Sequence, residues 1–266
     1  MLLERGHDVF GSTRNASGFE QILKLGAKPL QMDALDRKAV LETVASVAPD
    51  VIMHQLTSLG SGNPAENARI RRDGTRNLVD AALAAHTPRL IAQSIAWAYA
   101  PGAEPAVENE PLDLDAAEPR ITSVRGVEAL ETAVAEVAES VVLRYGMFYG
   151  PGTWYERGGL TAERVAAGKI AANDAVTSFL HVHDAANAAL EALGWPRGVY
   201  NVVDDEPAAA REWVPLFARA VGVSAPEPTS GRQGWERGAN GARARTLGFR
   251  PRFTSWRAGF AALASS

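Results

Sequence analysis

The chain has no cysteine, and that absence removes a disulfide framework, a thiolate nucleophile and a cysteine-ligated zinc site together. Long hydrophobic runs are missing as well. None approaches the roughly 18 apolar residues that a membrane span needs, and no basic segment leads into a long apolar one at the amino terminus. A cytoplasmic protein with no membrane partner is expected. Charge of one sign is also lacking: 27 Lys and Arg are mixed among 31 Asp and Glu, for a net charge of −4, without the basic stripe that would track a nucleic acid. What is present is 266 residues, 46% of them hydrophobic, enough for one large domain or a domain with a lobe.

Four short apolar runs, "DVFGST", "DVIMHQL" from Asp50, "RLIAQSIA" from Arg89 and "SVVLRYGMFYG" from Ser140, alternate with stretches of helical periodicity. Such alternation predicts βαβ units and a mostly parallel sheet. In "TSVRGVEALETAVAEVA", Val127, Leu130, Val134 and Val137 recur three to four residues apart, which predicts a helix with Thr122 or Ser123 as its N-cap. A second helix is predicted over "RRDGTRNLVDAALAA" from Arg71. After Tyr149 the texture changes to a turn-rich segment, a helix, a strand-like "TSFLHVHD", a helix from Ala185 and "GVYNVVDDEP". From Ala225, "APEPTSGRQGWERGANGARA" reads as an exposed loop.

These phrases, in this order, resemble the extended short-chain dehydrogenase/reductases, the NAD-dependent epimerase/dehydratase family. "PDVIMHQLTS" is similar to the family's fourth strand, "DGTRNLVDAA" to the following helix, "LRYGMFYGPG" to the sixth strand and turn, and "FLHVHDAANAAL" to the late strand and helix. "GVYNVVDDEP" and "ARTLGFRP" match its carboxy-terminal phrases. The resemblance implies an α/β, Rossmann-like doubly wound parallel sheet with a small C-terminal substrate lobe. Residues 1–148 would form the dinucleotide-binding part and 149–266 the substrate-binding part, with about 176–193 returning to the core.

The opening "MLLERGHDVFGSTRN" reads as the last turn of a helix closed by Gly6, followed by a strand. The family's first strand and its glycine-rich phosphate turn have no counterpart here. A start assigned too far downstream, a truncation with the sheet re-paired, and a partner chain filling the gap are the three explanations. Other dinucleotide positions persist by resemblance. Thr13 and Arg14 stand where the second strand meets the adenosine ribose, Asp33 near the adenine, and Leu56 and Thr57 in the loop after the fourth strand. An arginine there suits a 2′-phosphate, favouring NADP over NAD.

The family's Tyr-x-x-x-Lys proton relay falls on Ser123 and Val127, and its Ser/Thr partner on Ile95, one residue from Ser94. Met147 and Thr177 replace the residues that hold a sugar nucleotide. The resemblance therefore implies a small substrate other than a nucleotide sugar, in a pocket walled in part by Trp97, Tyr99, Met147 and the aromatic residues from Tyr145 to Tyr155. Tyr99, Tyr145 and His181 are the candidate acids and bases.

His181-x-His183-Asp184 offers too few ligands on one strand face for a metal. His54 reads as a packed histidine, "ENEPLDLD" as a solvated acidic loop, and the glycines at 231, 234, 238 and 241 as loop glycines. The function expected is an NAD(P)-dependent oxidoreductase or epimerase with an atypical site. The alternatives are a cofactor-independent cyclase, isomerase or lyase, or a non-catalytic binding protein. A small molecule is the expected partner, and a homodimer is left open.

Overall fold

The computed structural model describes residues 1–58 and 63–263. Strands β1 (Phe10–Thr13) and β2 (Lys28–Gln31) pair in parallel, Phe10 opposite Lys28 and Thr13 opposite Gln31, with α1 (Ala16–Lys24) as the crossover. Asn15 starts that helix by accepting the Gly18 N–H at 2.9 Å. None of α1 is buried, and Leu23 and Leu25 are exposed. β2 was not foreseen: "KPLQ" is short and contains a proline, which a strand tolerates where the ladder asks for no N–H.

Helix α2 (Arg37–Val47) is capped by Asp36, whose side chain accepts the Ala39 N–H at 3.1 Å. Strands β3 (Val51–His54) and β4 (Arg89–Ile95) are parallel, Val51 opposite Arg89. Between them Asn63 caps α3 (Pro64–Arg69), which passes through a π turn at Ile70–Gly74 into α4 (Thr75–Ala84). The helix expected from Arg71 thus begins about two turns earlier, because Asn63-Pro64 supplies the cap and first helical residue. Val40 and Val44 of α2 pack with Leu78 and Ala81 of α4 over Met32.

Helix α5 spans Arg120–Val134. Thr122 and Ser123 are therefore inside the helix rather than at its cap; the Thr122 hydroxyl donates to the Glu118 carboxylate at 2.7 Å. The run from Ser140 is two strands, β5 (Glu139–Tyr145) and β6 (Met147–Tyr149), broken at Gly146, where a Cβ would sit 2.7 Å from the Ser178 carbonyl. The remaining elements are α6 (Leu160–Ala166), β7 (Val176–Thr177), β8 (Phe179–His181), α7 (Val182–Glu191), β9 (Gly198–Val202), β10 (Ala208–Ala209), α8 (Ala210–Val221), α9 (Ala242–Thr246) and α10 (Trp256–Leu263). β6 runs parallel to β8, β7 antiparallel to β10, and the four-stranded sheet has the order β3-β4-β5-β9.

Two compact units emerge, Met1–Ala92 with Arg125–Val141, and Gln93–Val124 with Val142–Ser266. In the first, β1 and β2 form a sheet of their own. Among the described residues no ladder joins β1 or β2 to β3. Between Phe10–Ser12 and Val51–Leu56, under Val44 and Val47 of α2, lies a cavity of about 420 Å³. The second unit has an aromatic core in which Phe179 meets Phe260 and Tyr155 edge-on, at 5.2 and 5.3 Å, with Trp213 and Phe217 packed beside them. No helix among the described residues is long and apolar enough to cross a membrane.

Candidate active site

In the first unit the residues expected at a dinucleotide gather at the carboxyl ends of β1, β2 and β3. Arg14 is exposed, and no ion pair among the described residues engages it. The Thr13 hydroxyl accepts the Asn15 N–H at 3.4 Å, and the Asp33 carboxylate accepts the Leu35 N–H at 2.9 Å, fixing the turn after β2. Leu56 lines the cavity beside β3, and its N–H donates to His54 Nδ1 at 3.3 Å. The ends of these strands thus present an exposed cation, a half-exposed carboxylate and an apolar side chain.

His54 is buried, as its reading from the sequence anticipates. Its Nε2 lies 2.7 Å from the Thr75 hydroxyl, and burial, with the Arg71 guanidinium adding to it, pushes the imidazole down to about 4. Arg71, carried inward by the π turn, is itself pushed down to about 10 by burial, with Glu131 opposing the shift. Sequence periodicity gave no sign of this buried cation, because it treats Arg71 as one residue of a regular surface helix.

The three candidate acids and bases all belong to the second unit, each with its own hydrogen-bond partner. Tyr99 is buried and donates to the Asn201 side-chain oxygen at 2.6 Å; burial raises its phenol to about 12. Tyr145 donates to the Ala185 carbonyl at 3.1 Å and is likewise raised by burial. His181 caps α7: its Nδ1 accepts the His183 N–H at 3.2 Å, its ring lies 4.5 Å from that of Phe253, and burial lowers its pKa. The strand expected to continue through His183 therefore stops at His181. Asp184 turns inward, its two oxygens accepting the Arg252 and Phe253 N–H groups at 2.8 and 3.1 Å.

A second cavity, of about 250 Å³, lies within the second unit. It is lined by Trp97 and Met147, as expected, and by Val176, Trp235, Glu236 and Gly238. Tyr99, Tyr145, Tyr149 and Tyr155, expected as cleft walls, are buried in the core instead, where their rings satisfy packing rather than solvent. The loop-like texture of residues 225–244 concealed Trp235 and Glu236. The two indoles are 6.4 Å apart at 50°, and the Arg120 guanidinium stacks 4.0 Å from Trp235 and 5.4 Å from Trp97. Arg120 donates to Asp113 at 2.7 Å and to the Tyr99 carbonyl at 2.9 Å. The acidic loop is thus not merely solvated, since Asp113 is buried with Arg120, Glu110 pairs with Arg237, and Glu108 accepts the Asn201 N–H at 2.9 Å.

A family model described as the NAD dependent epimerase/dehydratase family matches residues 1–202. The chain belongs to that family. A curated relative from a Streptomyces species, named 3-diazoavenalumate denitrifying reductase, is 43% identical over an alignment of 285 residues, covering 97% of this chain and 92% of that protein. Among solved structures, a Thermus thermophilus UDP-glucose 4-epimerase in complex with NAD is 23% identical with a TM-score of 0.75, covering 99% of this chain and 92% of that one. The Campylobacter jejuni UDP-Glc/GlcNAc 4-epimerase is 18% identical with a TM-score of 0.77, at the same coverages. These likenesses establish the Rossmann-like fold. On α5, Val127 is fully buried and Ser123 half-buried.

Proposed function

We propose that this family member is an NAD(P)H-dependent reductase of a small aromatic electrophile, of the nitrogen-releasing kind that the name of the Streptomyces relative describes. The observation that carries the reading is the pair Ser123 and Val127. A ketone that accepts a hydride becomes an alkoxide and needs a proton, which is why such reductions keep an acid at the site. A diazonium group needs none. Its terminal nitrogen takes the hydride, giving a neutral aryl diazene; the C–N bond then breaks, dinitrogen leaves, and the hydrogen of the N–H replaces it on the ring carbon. Atoms and charge balance without an external acid. Loss of the relay is then no loss of function.

The reduced nicotinamide, when bound, supplies the hydride. Arg14, Thr13, Asp33, Leu56 and Thr57 are the residues proposed to hold its adenosine half, with Arg14 directed to the 2′-phosphate of NADP. Tyr99 and Tyr145 are proposed to brace the second unit through hydrogen bonds to Asn201 and Ala185. The deciding experiment incubates the chain with NADPH or NADH and a carboxylated aryl diazonium salt, and measures dinitrogen, arene and oxidised nucleotide against a protein-free control. Equal yields of the three above the control are expected. Ketone reduction without diazonium reduction, or no nucleotide consumption with either, would overturn the proposal.

A further inference from the structure

The cavity of the second unit has a chemistry that the family relationship does not assign. Of the residues lining it, one is charged, Glu236; the others are apolar, small or hydroxylic, with two indoles among them. The Glu236 carboxylate uses Oε2 to accept the Gln233 N–H at 2.6 Å, and among the described residues nothing donates to Oε1. Indole faces carry negative potential, and a nearby carboxylate adds to it, so the two together favour a cation. The neighbouring Arg120 does not cancel this field, because its charge is matched by Asp113 at 2.7 Å. Its stacking on both rings fixes the planes of Trp97 and Trp235, which makes it a positioning residue.

Size narrows the ligand further. A volume of about 250 Å³ falls below the 300–1,000 Å³ of ordinary drug-sized pockets and is ample for one ring with a short substituent. A sugar nucleotide, with two ring systems and a diphosphate, exceeds it. Repulsion by Glu236 would also disfavour a phosphate.

We propose that this cavity holds a cationic, planar aryl group, selected by the faces of Trp97 and Trp235 together with the Glu236 carboxylate. The assignment rests on the reductase reading for the identity of the natural group, an aryl diazonium, but the charge preference is a property of the cavity alone. The carboxylate would hold the cationic nitrogen end, and the indoles the ring.

The test is calorimetric titration of the full chain, without nucleotide, with three stable probes of similar shape: N-methylpyridinium chloride, toluene and sodium benzoate. The cation is expected to bind at least about tenfold more tightly than toluene, the scale of a desolvated cation–π contact with a charge partner. Glu236→Gln, which keeps an oxygen for the Gln233 N–H, should reduce that preference to less than about threefold at an unchanged melting temperature, and Trp235→Leu should weaken both cation and toluene. Equal affinity for cation and toluene, tighter binding of benzoate, or an undiminished preference in Glu236→Gln would each overturn the proposal. Tighter benzoate binding would redirect attention to Arg120 Nη1, a buried donor that meets no acceptor among the described residues. Because no nucleotide is present, a protein that passes this test yet reduces no diazonium retains the subsite and loses the reductase reading.

Discussion

The Tyr99 phenol donates to Asn201 at 2.6 Å, and the Asn201 amide nitrogen in turn donates to the carbonyls of Ala106 and Asn240 at 3.0 and 3.1 Å. This chain of bonds joins the segment after β4 to β9 and to the loop before α9, and it leaves the phenol no spare proton. Tyr99→Phe is expected to cost about 1–2 kcal/mol of stability, because Asn201 loses a buried donor. Turnover should stay within about threefold of the parent. Urea melts and steady-state rates on the same preparation check both; a hundredfold fall in turnover at unchanged stability would make Tyr99 the proton donor.

Arg14 separates the two nicotinamide nucleotides. Arg14→Ala should weaken NADP binding by about tenfold, the worth of one charge-assisted contact, while changing NAD binding less than about twofold. Calorimetric titration with NADPH, NADP, NADH and NAD in turn measures this. An equal effect on both pairs would remove the preference for NADP.

Asp204 makes the stability of the second unit depend on pH. Burial pushes its carboxyl from 3.8 up to about 8 against the opposing pull of the Glu206 and Trp256 backbone N–H groups, and among the described residues no hydrogen bond reaches Oδ2. Between those values the folded chain holds a proton that the unfolded chain has released, so stability falls as pH rises through the window, by up to about 1.4 kcal/mol per pH unit. Asp204→Asn, which keeps an acceptor for the Glu206 N–H, removes that slope. Its melting temperature should exceed the parent's increasingly from pH 5 to about pH 8. A constant difference across that range would count against a protonated Asp204.

His54 works in the opposite direction. It is held neutral at about 4 against 6.5 in the unfolded chain, so its contribution is complete above pH 6.5 and is lost as pH falls toward 4. Thr75→Val removes the hydroxyl 2.7 Å from its ring and should cost about 1–3 kcal/mol at neutral pH, read from denaturant melts. A melt unchanged by the substitution would mean that the ring finds another partner.

The parallel βαβ character was legible because it is written in local pattern: "DVIMHQL" and "RLIAQSIA" became β3 and β4, and the periodic apolar residues of α5 face inward. Properties set by distant partners were not. Pro29 disguised β2, whose place depends on its ladder with β1. Gly146 interrupts a seemingly continuous strand at a point where a Cβ would meet the carbonyl of Ser178, far along the chain. The aromatic residues were rightly singled out as a group, but whether a ring faces core or cavity is decided by which helices cover it, so Tyr149 and Tyr155 went to the core under α8 and α10. Trp235 and Glu236 sit in a segment with no period at all, and only the fold brings them to Trp97.

The β1–β2 ladder bears on how the chain comes apart. Two strands with one exposed helix over them hold little cooperative free energy by themselves. Residues 10–31 should therefore open as a separate foldon, exchanging their amide hydrogens well before those of Arg89–Ile95. Heating would then pass through a state in which this segment is frayed while the aromatic core is intact. The van't Hoff enthalpy would fall below the calorimetric one, and a single melting temperature would average two events.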